Sequence, residues 1–212
     1  MMRFILVRHG HVEGIEPERF RGRSDLSLTK QGEGQAQALA ARIAFGWWPT
    51  QIYTSPARRC VATAAPIGEA CKLKPRVLNE LNDIDYGARQ GRSYEEVKAA
   101  DPELFGAWFV TPQRVRFPNG ESLQDLLARS ADALRVILAQ PNNGTILAVA
   151  HDSVNRALLI QLLDLPQSAF WRLAQHPCCI NEFEVEGDCI RALRINDTAH
   201  LAALHTASER AI

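Results

Sequence analysis

The stretch TILAVAH, residues 145–151, decides the fold. It is a continuous apolar run of strand length that ends at a histidine. A strand covered on both faces has this unbroken apolar character, whereas a half-exposed strand alternates between apolar and polar residues. Residues 3–7 form a second apolar run, and residues 51–55 have a third short strand pattern. The sequence therefore predicts a sheet that is buried on both faces.

Helical patterns alternate with these strands. A helix is expected to begin near Thr29, a second follows Pro56, and the strongest amphipathic pattern covers residues 121–139. A further helix is expected over residues 153–164, and residues 180–195 have the pattern of a hairpin. Such alternation predicts an α/β fold, a three-layer sandwich in which a mostly parallel central sheet has helices on both faces.

The composition is that of an ordinary globular protein. The 212 residues include 24 Lys plus Arg and 24 Asp plus Glu, and this zero net charge argues against nucleic acid or an anionic membrane as a partner. We expect one domain over residues 1–212, with a loose tail at about 198–212. The N-terminal apolar run is too short for a signal peptide. The five cysteines have no paired spacing, which favours reduced thiols. A cytoplasmic protein is therefore expected.

Basic side chains follow three of the predicted strands. Arg8 and His9 follow the first, Arg58 and Arg59 follow the second, and His151 follows the apolar run. Because ligands bind at the carboxyl ends of parallel strands, these residues are expected to share one pocket. Arginine binds phosphate oxygens, a neutral imidazole is a nucleophile, and a second imidazole donates a proton or a hydrogen bond. The set predicts phosphoryl transfer, which needs mainly positioning and charge stabilisation and here requires no metal.

Four segments resemble one known family. The segment LVRHG at 6–10 resembles the signature of the histidine phosphatase superfamily, which includes the phosphoglycerate mutases. The segment SPARRCVATA at 55–64 is similar to the second motif of that family, and AVAH at 148–151 is similar to the third. The segment PNGES at 118–122 resembles a further family segment at the start of a long helix. The order and separation of these motifs make the resemblance specific.

The resemblance implies a phosphoglycerate mutase-like fold and a small-molecule phosphate ester as substrate, with no cofactor and no metal. His9 is then expected to attack phosphorus and to carry the phosphoryl group. Arg8, Arg59 and His151 are expected to hold the phosphate oxygens, and His151 joins His9 among the catalytic residues. Residues from about 80 to 120 are expected to form an insertion that covers the substrate.

The proton donor is expected near the stretch LNDIDYG, residues 81–87. Relatives have an acidic residue shortly before an aromatic–glycine pair, and the position four residues before Gly87 is Asp83. Glu80 and Asp85 are the alternatives. Aspartate is shorter by one methylene than the glutamate of many relatives, so the loop that carries Asp83 must approach the phosphate more closely.

Five other positions have more than one interpretation. His11 is expected either at the pocket mouth, where it contacts substrate, or in an exposed loop. Arg114 and Arg116 are expected either to contact the remote part of the substrate or to be exposed. Asp152 stands where relatives often have glycine and is interpreted as a helix cap, whereas as a functional group it would place negative charge near an anion site. Glu121 is interpreted as an acidic residue that favours the dipole at a helix start.

Hydrolysis of a phosphomonoester through a phosphohistidine is the predicted function. A mutase that returns the phosphoryl group to a sugar acid is the first alternative, although such mutases usually have a longer insertion between the second and third motifs. A catalytically silent phosphate-binding protein is the second alternative. Conversion of 3-phosphoglycerate separates the mutase from the phosphatase. The oligomeric state is not indicated by the sequence.

Overall fold

The computed structural model describes residues 1–139, 144–202 and 204 of the chain. Its strands are β1 (Met2–Arg8), β2 (Gln51–Thr54), β3 (Arg76–Val77), β4 (Gly144–Ala150), β5 (Ile180–Glu186) and β6 (Cys189–Asp197). Its helices are α1 (Lys30–Gly46), α2 (Arg58–Cys71), α3 (Tyr94–Ala100), α4 (Pro102–Val110), α5 (Leu123–Leu138) and α6 (Asp152–Leu162). None of the helices in this described part combines the length and apolar character that a membrane span requires.

The described strands form one six-stranded sheet in the order β3-β2-β4-β1-β5-β6. The four strands from β3 to β1 are parallel, and β5 and β6 add an antiparallel hairpin at the β1 edge. Strands β1 and β4 pair over their whole length, with Arg8 opposite Ala150 at the carboxyl end. His9 and His151, the next residues, therefore leave the sheet side by side, as the sequence predicts.

Helices cover both faces of the sheet, and each face has its own apolar core. In β1, Phe4 and Leu6 belong to the core beneath α5 and α6, whereas Ile5 and Val7 belong to the core beneath α1 and α2. All four side chains are fully buried. Burial on both sides explains why β1 lacks the alternation of a half-exposed strand. The arrangement is the predicted three-layer sandwich.

The helix starts agree closely with the sequence patterns. Thr29 caps α1, and its side-chain oxygen accepts a hydrogen bond from the Gly32 amide at 3.1 Å. The helix expected at Pro56 begins two residues later, at Arg58, after an extended cap residue. Ser122 caps α5 through a capping box with Asp125. The sequence signals thus predict the first residue of three helices to within two residues of its observed position.

Aromatic rings anchor the segment from 80 to 120 against the loop that follows β1. The Phe20 ring of that loop lies 4.9 Å from the Tyr86 ring and 4.8 Å from the Tyr94 ring, measured between centroids. Tyr86 in turn packs against Phe117 at 4.8 Å. The contacts of Tyr86 with Phe20 and Phe117 are edge to face, and such contacts stabilise packing beyond the buried area alone. The segment is therefore fixed against the loop that follows β1.

The predicted loose tail is described only in part. Ala199–Leu201 form a 3₁₀ turn, and the Leu201 side chain is buried in the core beneath α1 and α2. Residues 203 and 205–212 lie outside the described residues.

Candidate active site

His9 presents an unprotonated ring nitrogen to a buried cavity. Its backbone amide donates to the carbonyl of Ala150 at 3.0 Å, which fixes the residue at the end of β1. The ring Nδ1 lies 2.7 Å from the carbonyl oxygen of Gly10. Because a carbonyl oxygen only accepts, Nδ1 carries the proton and Nε2 keeps its lone pair. Burial, together with Arg59 and Arg8, holds the pKa of His9 well below its usual value, so the ring is neutral.

His151 is a second neutral imidazole beside the first. The two rings meet edge to face with centroids 5.3 Å apart. Arg59 donates from Nε to His151 Nδ1 at 3.2 Å, so the proton of His151 is on Nε2, which lies 2.7 Å from the Ser55 hydroxyl oxygen. The His151 pKa is also well below its usual value, because the ring is fully buried and lies next to Arg59. The arrangement leaves both rings uncharged.

Arg59 joins three segments of the site. Its guanidinium is fully buried and donates to the carbonyls of Gly22 at 2.6 Å and Ser24 at 2.8 Å, both in the loop after β1. It also donates to the Asp83 carboxylate at 3.0 Å. With the bond to His151, these contacts fix the guanidinium in one orientation. Arg59 thus supplies a permanent positive charge whose position is set before any ligand binds.

Two further arginines lie close to His9. Arg8 is 5% exposed, its Nη1 donates to the Gln175 carbonyl, and its buried Nε has no hydrogen-bond partner in the described part of the chain. Arg21 lies in the loop after β1 and lines the cavity that contains His9. Both cations contribute to the lowered pKa of His9. A buried arginine with an unused donor next to a nucleophilic nitrogen is suited to an incoming anion.

Of the three candidate proton donors, Asp83 is the one that lines the cavity of His9. Its Oδ1 accepts from the Ile84 amide at 2.9 Å, and its Oδ2 lies 3.5 Å from His151 Nδ1. Burial raises the pKa of the Asp83 carboxyl, and the Arg59 charge opposes that rise. Of the alternatives, Asp85 bonds to the Gly87 amide and Arg23, and neither it nor Glu80 lines the cavity.

The comparisons with known proteins agree with this geometry. The family model described as the histidine phosphatase superfamily (branch 1) matches residues 4–198, which include every residue of the site. The chain belongs to the histidine phosphatase superfamily. The sequence-based recognition and the expectation of a histidine-type phosphatase are confirmed.

Relatives of this histidine phosphatase have several names. It is 31% identical to phosphoserine phosphatase 1 of Hydrogenobacter thermophilus over 212 residues, which are 100% of both chains. It is 31% identical to a probable phosphoglycerate mutase, GpmB, of Yersinia enterocolitica over 95% of both chains. The structure of a mycobacterial glucosyl-3-phosphoglycerate phosphatase superposes with a TM-score of 0.83 at 25% identity, over 92% of this chain and 99% of that chain. The predicted phosphoglycerate mutase-like fold is confirmed.

A second arginine network holds the loop that carries the acidic residue of this histidine phosphatase. Arg129, on α5, donates to the carbonyl oxygens of Glu80 at 3.0 Å, Asn82 at 2.5 Å and Asp83 at 3.0 Å. It also binds both carboxylate oxygens of Glu121, at 2.8 and 2.9 Å. One guanidinium thus fixes the backbone on both sides of Asp83, which explains how the shorter aspartate comes within contact of Arg59 and His151.

The interpretation of Glu121 as a helix-start residue is wrong. Helix α5 begins two residues later and is capped by Ser122. The Glu121 carboxylate instead pairs with Arg129 and accepts a hydrogen bond from the Asp85 amide at 2.9 Å. Partial burial raises the pKa of Glu121, but Arg129, the Asp85 amide and Arg23 together lower it below its usual value. An acidic residue before a helix has the same sequence pattern whether it interacts with the helix dipole or pairs with an arginine, so the pattern could not distinguish the two roles.

The interpretation of Asp152 as a helix cap is also wrong. His151 is the cap residue of α6 and makes no side-chain capping bond, and Asp152 is the first helical residue. The Asp152 carboxylate pairs with Arg156 four residues later at 2.8 Å, and it lines the same cavity as His9. An acidic side chain therefore lies at the edge of the anion site.

Four predicted basic residues lie elsewhere. Arg58 is 63% exposed and pairs with Asp25 at 2.7 Å. His11 is half-buried, with Nδ1 2.9 Å from the Thr29 hydroxyl, and it lines a separate cavity that borders Arg8. The other two lie on the surface and do not line the cavity of His9. They are Arg114, which is exposed, and Arg116, which is 64% exposed and pairs with Asp125.

Proposed function

We propose that this chain hydrolyses phosphomonoesters of small metabolites through a phosphohistidine at His9. The observation that carries the proposal is the tautomer of His9, since the Gly10 carbonyl accepts from Nδ1 and leaves the Nε2 lone pair in a cavity shared with Asp83. Attack of Nε2 on phosphorus forms the N–P bond as the ester P–O bond breaks, and water later releases inorganic phosphate. Relatives named for phosphoserine and glucosyl-3-phosphoglycerate support a small phosphorylated substrate.

Fixed positive charge is the main stabilising factor in this mechanism. The phosphoryl group carries its charge on equatorial oxygens, and Arg8, Arg21 and Arg59 place three guanidinium groups around His9. The unused Nε of Arg8 is a donor for one oxygen. Because His9 is neutral when the substrate is absent, its attack requires no prior loss of a proton. The positive charge that it gains on attack is offset by the phosphoryl oxygens.

Asp83 is the proposed proton donor. Its raised pKa favours the protonated carboxyl, and its place in the cavity puts that proton near the leaving oxygen. The proton moves from Asp83 to the alkoxide as the P–O bond breaks, and the resulting carboxylate is stabilised by Arg59. In the second step the carboxylate takes a proton from the attacking water, which restores the starting state.

The decisive experiment traps the phosphorylated protein. Acid-labile, base-stable label from a ³²P-labelled ester is expected on the parent and absent from His9→Ala, and p-nitrophenyl phosphate hydrolysis with chelator present is expected to be lost in the same variant. His176→Ala, in an exposed loop, is the matched control and is expected to retain both. Label or hydrolysis that persists in His9→Ala contradicts the assignment. A parent that binds phosphate esters but never turns them over supports the silent phosphate-binding alternative.

The mutase alternative is tested with 3-phosphoglycerate and a bisphosphate primer. Release of inorganic phosphate is expected, and accumulation of 2-phosphoglycerate without phosphate release contradicts a phosphatase.

We also propose a cytoplasmic location. All five cysteines are free, and four of them are buried, as is usual in a reducing compartment.

A further inference from the structure

The cavity that contains His9 has a buried half and a more accessible half. His9 and Asp83 are almost fully buried. Four other residues that line the same cavity are partly exposed, namely Arg21, Tyr94, Asp152 and Trp171, and Arg19, which also lines it, is exposed. The phosphoryl group must lie between the nucleophile and the proton donor. The alcohol part of the substrate therefore extends toward the accessible half, where Asp152 lies.

The Asp152 carboxylate is held in a fixed orientation with one oxygen unused. Its Oδ1 accepts from Arg156 Nε at 2.8 Å, and its Oδ2 makes no hydrogen bond to the described residues. Arg156 is itself fixed, because it donates to the Phe170 carbonyl at 3.0 Å and its guanidinium lies 4.6 Å from the centre of the Trp171 ring. The Asp152 side chain is 21% exposed, so its free oxygen is accessible. A carboxylate fixed in this way is preorganised to accept a hydrogen bond.

The carboxylate at this position favours a hydrogen-bond donor on the alcohol part of the substrate. Asp152 directly follows His151, and its charge acts on Arg8, which lies at the phosphate site. Arg19 and Arg21 line the same cavity and attract the phosphate dianion, whereas the free oxygen of Asp152 attracts a positive group on the alcohol part. The rings of Tyr94 and Trp171 line the same part of the cavity, where they limit hydration and favour a cation.

We infer that the alcohol part of the substrate carries an ammonium group that donates to Asp152. The inference rests on the proposed phosphatase function and identifies the substrate class of that site as amine-bearing phosphomonoesters. The ammonium group neutralises Asp152 and donates to its free oxygen, while Arg156 continues to hold the other oxygen. Asp152 is thus a specificity-determining residue that selects among small phosphate esters.

The test uses two substrates that differ in one group. O-Phospho-L-serine has an ammonium group where 3-phosphoglycerate has a hydroxyl, and the L enantiomer of 3-phosphoglycerate is used so that the two esters are otherwise matched. The parent is expected to prefer phosphoserine in kcat/KM by about tenfold or more, as is usual for one charge-assisted hydrogen bond. In Asp152→Asn the amide oxygen still accepts from Arg156, but the negative charge is removed. The variant is expected to lose about tenfold on phosphoserine and to gain on 3-phosphoglycerate.

Opposite changes for the two substrates distinguish recognition from a general loss of structure. Asp132→Asn removes another aspartate from an ion pair, that with Arg135 on the surface of α5, and is expected to leave the preference unchanged. A preference that is the same in the parent and in Asp152→Asn overturns the inference, as does a parent that hydrolyses p-nitrophenyl phosphate but favours 3-phosphoglycerate.

Binding measurements separate this inference from the proposed function. Calorimetric titration of His9→Ala with each ester requires no turnover. Tighter binding of phosphoserine that disappears in the His9→Ala, Asp152→Asn double variant supports the ammonium site even if hydrolysis fails. Equal binding of the two esters overturns the ammonium site even if His9 is phosphorylated.

Discussion

Replacement of Arg129 by glutamine tests whether the loop around Asp83 must be held for proton donation. Arg129 donates to three carbonyl oxygens of that loop and pairs with Glu121. Its side chain is 17% exposed and that of Glu121 is 16% exposed, so water screens these bonds only partly. Glutamine keeps a polar group near the loop but cannot reach all of these acceptors. The variant should therefore fold with a less restrained loop.

The expected size of the effect follows from the bonds that are lost. Hydrogen bonds to a charged group each contribute roughly 1.5–3 kcal/mol, and several bonds from one guanidinium are not additive. Arg23 also binds Glu121 at 3.0 Å, so that carboxylate keeps one cationic partner. We expect the free energy of unfolding to fall by about 3 kcal/mol. For a chain of this size the corresponding fall in Tm is about 6–12 °C.

The activity assay compares two leaving groups. A displacement of the proton donor by about 1 Å is expected to lower kcat by about a hundredfold for an alkyl phosphate, which needs a proton on its leaving oxygen. Hydrolysis of p-nitrophenyl phosphate should fall much less, because nitrophenolate leaves without one. Arg129→Lys, which keeps the charge, should recover part of the loss, and Arg135→Gln on the same helix should behave like the parent. Equal losses for both esters would refute a role in positioning Asp83.

Two further predictions concern proton transfer and pH. Asp83→Asn is expected to slow hydrolysis of alkyl phosphates by about 10²–10⁴-fold and that of p-nitrophenyl phosphate much less, whereas Asp85→Asn should not separate the two esters. Burial, and then Arg59, lower the pKa values of His9 and His151 well below 6.5. The unfolded chain therefore binds protons that the folded chain does not, so Tm should fall as the pH drops below 6.5. The acidic limb of the pH profile of kcat/KM should also lie below 6.5. An acidic limb at or above that value would contradict the neutral tautomers.

Local sequence patterns predicted the sheet and the positions of His9 and His151. The apolar runs of β1 and β4 are long, unbroken and followed by polar residues, so both the strands and their ends are readable. Parallel pairing then places the next residue of each strand at the same edge, whatever the rest of the chain does. The prediction therefore needed only strand identity and direction, which periodicity and composition supply.

The side chains that complete the site had no such local signal. Arg21 lies in an irregular loop, where no periodicity indicates which residues turn toward the cavity. Arg129 lies on an amphipathic helix and appears in the sequence as one of its polar residues. Glu121 and Asp152 both precede or begin a helix, where an acidic residue is expected for reasons unrelated to catalysis. Their contacts depend on how helices and loops pack, which the sequence pattern does not contain.

The neutral histidines and the protonated carboxyl have one main physical origin, which is burial, and the buried guanidinium of Arg59 modifies the pKa of all three groups. Its charge lowers the pKa of both His9 and His151, while its bond to Asp83 opposes the effect of burial on that carboxyl. Arg59→Met would therefore act at three groups at once. The imidazoles would be protonated more readily, the carboxyl would lose the charge that stabilises its ionised form, and the carbonyl oxygens of Gly22 and Ser24 would lose the hydrogen bonds that Arg59 donates to them. Burial thus keeps the nucleophile and the acid uncharged at one pH, while the Arg59 cation reinforces the neutral imidazoles and stabilises the carboxylate that forms when Asp83 gives up its proton.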